Sequence, residues 1–137
     1  DPNQLTHLRE AAAELTERAT GSLATGSLRD VIGLAGTVTT VAALAMDLPA
    51  YDSETIHGAR ISTDDATRIA EELARMPLSA RRELAVMHPG RADVIVSGAA
   101  ILATILTSVG ADSFVASEHD ILDGIAWSLL DQPNMTQ

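Results

Sequence analysis

Cysteine is absent from this chain of 137 residues, so neither a disulfide framework nor a thiolate metal site can contribute to its fold or chemistry. Lysine is absent too. Nine arginines face 19 aspartates and glutamates, for a formal net charge of −10. That balance excludes nucleic-acid binding through a broad basic face, and it opposes any polyanionic ligand unless other cations offset the field. Aromatic residues make up 2% of the chain against 46% hydrophobic, so the core has to be built from Ala, Val, Leu and Ile. No apolar run reaches the roughly 18 residues of a membrane span. The most apolar stretch, Arg91 to Val109, is interrupted by Ser97, Gly98, Thr104, Thr107 and Ser108.

Several kinds of chemistry are missing as well. His7, His57, His88 and His119 lie far apart with no H-x-x-x-H spacing, which leaves no zinc site. There is no G-x-S-x-G elbow and no Walker loop. The pairs Asp64/Asp65 and Glu71/Glu72 fall on predicted helix starts or polar faces and read as solvated charge. Arg81-Arg82 reads as a polar helix face, with phosphate contact as the other reading. The expectation is a single domain over 1–137 with no catalytic residue and no metal site of its own, no nucleic-acid partner and no membrane contact. Starting at Asp1 without a signal-peptide pattern, it reads as a cytoplasmic fragment.

What is present begins with a helix over Asp1 to Ala19, with Pro2 in its first turn, Leu5, Leu8, Ala12, Leu15 and Ala19 on one face, and Gly21 as its stop. Residues Gly21 to Ser27 predict a loop and Asp30 to Leu34 a buried strand. A helix follows Gly36 and stops before Pro49, and Ser53 to Ser62 alternates like a short strand or extended segment. Ser62-Thr63-Asp64-Asp65 opens a helix with Ala66, Ile69, Ala70, Leu73 and Met76 on its core face. Ser79 to Val86 predicts a short helix. Arg91 to Val109 predicts one apolar nearly all round and buried on all sides, with Arg91 and Asp93 fixing its start. Ser113 to Ala116 is the last strand. Ser117 is the expected N-cap after it, and Asp120 to Leu130 a helix with Ile121, Leu122, Ile125 and Leu129 inward; the tail from Gln132 is expected to fray.

The richest segment is Val31-Ile32-Gly33-Leu34-Ala35-Gly36-Thr37-Val38-Thr39-Thr40, a short apolar run that breaks on Gly33 and Gly36 and then becomes helical. Glycine lets backbone approach a ligand, and a helix start offers free N–H groups and partial positive charge to an anion. The same pattern also serves as a tight strand-to-helix connection with no ligand. His57-Gly58 reads as a turn with a hydrogen-bonded imidazole rather than a catalytic pair. Gly98 in mid-helix costs about 1 kcal/mol against alanine, which points to another helix passing close to Gly98-Ala99-Ala100.

GLAGTVTTVAAL, IHGARIS, GRADVIVSGAAIL and VASEHDILDGI, in this order and spacing from about Val31 to Trp127, resemble the C-terminal part of the exopolyphosphatase and guanosine pentaphosphatase (Ppx/GppA) family. The resemblance implies a helix-rich α/β fold, the later part of the C-terminal, RNase H-like lobe of an actin-like two-lobed protein. It implies release of terminal phosphate from polyphosphate, or conversion of pppGpp to ppGpp, with magnesium assisting and a glutamate of the missing N-terminal lobe orienting water. The family's D-x-G-S and D-I-G-G-G-S phosphate loops are not found here. The fragment alone is therefore expected to be inactive. Gly33, Ala35, Gly36, Thr37 and Thr39 are the residues expected to line the interlobe cleft, and Gly98, Ala99 and Ala100 the interlobe hinge against the missing lobe. A homodimer is expected, and a non-catalytic nucleotide-sensing or dimerising module is the alternative. The family's closing S-x-x-G-L-R-D-G-I pattern departs here at Asp120, for its glycine, and at Leu122, for its arginine.

Overall fold

The computed structural model describes residues 2–21 and 31–130. Asp1 as a cap, the loop over 22–27, Asp30 as a strand residue and the tail from Gln132 lie outside the described residues. The elements run α1 (Pro2–Thr20), β1 (Val31–Leu34), α2 (Gly36–Ala45), α3 (Ser53–Ile56), β2 (Arg60–Ser62), α4 (Thr63–Arg75), α5 (Leu78–Arg82), a 3-10 turn (Pro89–Arg91), α6 (Ile95–Ser108), β3 (Ser113–Ser117) and α7 (Ile121–Leu130).

β3 is the middle strand of a three-stranded sheet ordered β1-β3-β2. It pairs in parallel with β1, Val31 opposite Phe114 and Leu34 opposite Ser117, and antiparallel with β2, Ile61 opposite Phe114. Side chains alternate across a strand, so Phe114, Ala116 and Ile61 turn together into the helical layer and are buried. β1 obeys the same alternation and corrects the expectation of a fully buried strand: Ile32 is 64% exposed and Leu34 49%. Parallel strands are usually covered on both faces. Here the described residues cover one.

The helical layer is made of α2, α4 and α6, with α1 against the outer side of α6. Its contacts are small: Ala42, Ala43, Ala66, Ala70, Ala99 and Ala100 are all buried, around Val41, Ile56, Leu73, Ile95 and Leu106. The chain's single Phe, Phe114, is fully buried with them. Each large apolar side chain buried this way contributes roughly 1.5–3 kcal/mol.

Where the structure differs from sequence expectation, a polar side chain has usually decided the matter. Ser53 to Ser62 is not one extended segment. Asp52 accepts from the N–H groups of Glu54 and Thr55 and starts the short helix α3, leaving only Arg60–Ser62 as strand. On α1, Leu5, Leu8 and Ala12 are half-buried while Leu15 and Ala19 face outward. Thr16 is buried in their place because its hydroxyl donates to Ala12 O at 2.7 Å, which satisfies it inside the fold. α5 ends at Arg82, short of Val86, yet Val86 and Met87 still reach the core. α6 is buried on one broad face rather than all round, since Ser97, Thr107 and Ser108 are exposed. The inward face expected for α7 is absent from the described packing: Ile121, Leu122, Ile125 and Leu129 are 51–74% exposed.

Candidate functional site

The parallel strands β1 and β3 end side by side, and in open α/β sheets the crevice beyond the carboxyl ends is where ligands bind. At that edge β1 passes into α2 through Ala35, whose backbone sits at φ 73° and ψ 165°. This region is essentially reserved for glycine, and an L side chain there stores about 1–3 kcal/mol of strain. Ala35 O accepts from the N–H groups of Val38 (3.0 Å) and Thr39 (3.3 Å), and no side chain caps α2. The first N–H groups of a helix have no intrahelical acceptor, so this start is left to whatever lies outside it.

Arg91 closes one side of the turn. Its Nη1 donates to Gly36 O at 3.3 Å and to Thr40 Oγ1 at 3.4 Å, while the Thr40 hydroxyl donates to Gly36 O at 2.6 Å. A β-carbon on Gly36 would fall on the Arg91 guanidinium. Glycine here is what lets an arginine lie close over the start of a helix, since a β-carbon would push the guanidinium aside.

Tyr51 closes the other side. Its hydroxyl lies 2.7 Å from Thr39 Oγ1 and 2.6 Å from Glu118 Oε1. With one proton on the phenol, donation goes to the carboxylate and the Thr39 hydroxyl donates to Tyr51. Partial burial, and then the Glu118 carboxylate, hold the phenol above its ordinary pKa, so it stays neutral. Glu118 N donates to His57 Nδ1 at 3.2 Å, and Gly58 beyond it takes φ 80°, so His57-Gly58 is the hydrogen-bonded turn that the sequence suggests. His57, His119 and Trp127 then stack edge to face at 4.6 Å and 5.2 Å between centroids. A cavity of about 290 Å³ opens between Tyr51, Ala85, Val86, Met87, His88 and Arg91.

The residues singled out from the sequence share this edge but do not all face outward. Ala35 is exposed and Gly36 half-buried under Arg91. Gly33 lies where an added β-carbon would meet Val38 at 2.7 Å, Thr37 packs on Gly98, and Thr39 is buried behind Tyr51. Gly98 does have a close neighbour, but it is the Thr37 side chain of α2, 2.7 Å from where a β-carbon would stand, and Ala99 and Ala100 belong to the core of this chain. The steric reason given for a hinge against another lobe is thus met inside the domain. Arg91 does not fix the start of α6; it reaches back 55 residues to Gly36. α6 begins at Ile95, after Val94, and no side chain caps it, Asp93 included. Ser117 does not cap α7 either. Asp120 Oδ1 accepts from Leu122 N and Asp123 Oδ2 from Asp120 N, so the residue that departs from the family's glycine is the cap. Sequence reasoning missed Tyr51 and Glu118 altogether; the one usable signal was that Tyr51 is the only tyrosine in a chain nearly without aromatics.

The described residues bring together no group of three or more His, Asp or Glu side chains that could hold a metal ion. Nor is any helix among them long and apolar enough to cross a membrane.

The sequence profile of the Ppx/GppA phosphatase family matches residues 1–132. The chain belongs to that family. Among its relatives, Exopolyphosphatase 2 of Mycobacterium tuberculosis is 42% identical over 136 aligned positions, which cover 94% of this chain and 43% of the relative. A crystal structure of an exopolyphosphatase-like protein superposes with a TM-score of 0.89 at 37% identity, over 94% of this chain and 43% of the other. The Ppx/GppA family member of Aquifex aeolicus shares the fold, with a TM-score of 0.75 at 22% identity over 93% of this chain and 42% of its own. The chain therefore spans less than half the length of the relatives it matches, and its helix-rich α/β architecture is that of one part of a Ppx/GppA protein.

Proposed function

We propose that this chain forms one wall of a cleft in which a phosphoanhydride hydrolase releases the terminal phosphate of inorganic polyphosphate. The observation that carries the reading is the start of α2: an uncapped helix N-terminus held open by a strained Ala35, with the Arg91 guanidinium over Gly36. Such donors suit phosphate oxygens in the ground state and more so as charge develops on the phosphate that leaves when water attacks the terminal phosphorus. In this reading the carboxylate that orients that water comes from the opposing lobe. The uncovered apolar sides of β1 and α7 are consistent with such a lobe lying against them. Half of a two-sided site does not position the reactants, so the isolated chain is inactive in this proposal.

A second substrate, guanosine pentaphosphate, is favoured by the cavity beside Arg91, whose Tyr51, Met87 and His88 walls offer a ring-shaped group soft and aromatic surface. A polypeptide of the relatives' full length containing this segment tests both. Arg91→Gln should lower kcat/KM for polyphosphate by about 10- to 100-fold, the loss of a charge-assisted contact, in a protein that still folds; an unchanged kcat/KM would return the turn to a structural role. Ala85→Trp, which fills the cavity, should raise KM for pppGpp and leave tripolyphosphate untouched. Equal effects on the two would remove the nucleoside reading.

A further inference from the structure

A second cavity, of about 820 Å³, lies between α1, α4, α5 and the start of α6, and it shares no lining residue with the one beside Arg91. Leu5, Leu8 and Val96 contribute apolar wall, and Arg9, Arg75 and Arg81 bring three of the nine cationic side chains of a strongly acidic chain to one place. Two carboxylates also line it, but Glu71 is already engaged by Arg75 at 2.9 Å. That leaves Arg9 and Arg81 opposite one further carboxylate, Asp93. Arg81 is the informative member. Its Nη1 donates to Ala92 O at 2.7 Å, which fixes the side chain, while its Nε is buried without a hydrogen-bond partner. The Nε lies out of a ligand's reach, so what Arg81 offers the cavity is the charge of a guanidinium fixed in place, which suits an oxygen-rich anion.

We infer that this cavity is a second anion site, for a small phosphoanhydride such as pyrophosphate, held by Arg9 and Arg81 beside the Arg75–Glu71 pair. The rigid planar donors of arginine match the paired oxygens of a phosphoryl group, whereas a lone spherical charge would gain little from them. Its lining residues all belong to this chain, and it does not depend on the cleft reading above. It also gives Arg81 a role that its place on a short polar helix does not.

Isothermal titration of the 137-residue chain with pyrophosphate, against sulfate at matched ionic strength, tests it. Pyrophosphate should bind more tightly than sulfate. Arg9→Gln should weaken that binding by about tenfold or more, about 1.4 kcal/mol, and equally so in an Arg91→Gln background, where the contact proposed at the α2 turn is gone. Long-chain polyphosphate binding with the same dependence on Arg9 would identify a chain end as the ligand, and pyrophosphate alone the free anion; either supports the site. Absence of binding, sulfate binding equally well, or an Arg9→Gln protein that binds as wild type overturns it. Binding lost in Arg91→Gln but kept in Arg9→Gln would place the anion at the α2 turn, overturning this site and leaving the cleft reading standing.

Discussion

α4 and α2 both begin directly after a strand, and the two starts are built in opposite ways. At α4, Ser62 is extended at φ −69° and ψ 152°, its Oγ accepts from Asp65 N at 3.0 Å and donates to Asp65 Oδ2 at 2.7 Å, and Asp64 and Asp65 place negative charge on the first turn. Arg68 then bridges Asp65 and Glu72, each at 3.0 Å. At α2 the corresponding residue is Ala35, with no capping oxygen, in a backbone region that penalises its β-carbon, and the nearest charge is the cation Arg91. The first start satisfies itself. The second leaves its donors to something else, and it does so at the edge where two parallel strands end. A local rule broken at such a place is the mark expected of a functional site.

Four measurements break or sharpen that contrast. The largest effect is expected at the support of the α2 start. Gly98→Leu should destabilise the chain by about 3 kcal/mol in urea unfolding, because Thr37 is too short and stiff to move away; unchanged stability would mean that α2 does not rest on α6 there. Ser62→Ala should cost about 1 kcal/mol through loss of the α4 cap, and no loss would remove the reference half of the comparison. Ala35→Gly should have the opposite sign, a gain of up to about 1 kcal/mol as relieved strain outweighs the added chain entropy. A loss at Ala35→Gly would contradict the strained start. The smallest effect concerns acid. Asp65 is held below its ordinary pKa first by the Ser62 hydroxyl and then by Arg68, Asp52 by the Thr55 hydroxyl and the Thr55 N–H, and Asp123 by the Asp120 N–H. Depressed carboxyls stabilise the fold above their unfolded value near about 4 and lose that contribution as pH falls through the folded values. The thermal midpoint should therefore drop below about pH 4, by less in Ser62→Ala, where one of the three groups has already lost its first partner.

How much of this was legible in the sequence follows the same division. α4 could be read almost residue by residue, with Ser62 as cap and Ala66, Ile69, Ala70 and Leu73 buried, because its signals are local and agree with one another. The strand, glycine turn and helix at 31–45 were legible as elements. The occupants of the turn were not: Arg91 and Glu118 arrive from 55 residues or more along the chain, and Tyr51 from a loop without periodicity, so no spacing rule connects them. The faces of β1 and α7 were misread for a related reason. Apolar periodicity reports which side chains seek cover, and Ile32, Ile121, Ile125 and Leu129 do so without finding it among the described residues.

The central claim is that the α2 start receives phosphate oxygens under the Arg91 guanidinium, and amide NMR of the chain titrated with tripolyphosphate tests it most directly. The largest shifts should fall on the N–H groups of Gly36 and Thr37. They should vanish in Arg91→Gln and equally in Gly36→Ala, whose β-carbon displaces the guanidinium without disturbing the core. Shifts at Gly36 and Thr37 that survive both substitutions, or none there at saturating tripolyphosphate, would contradict the account.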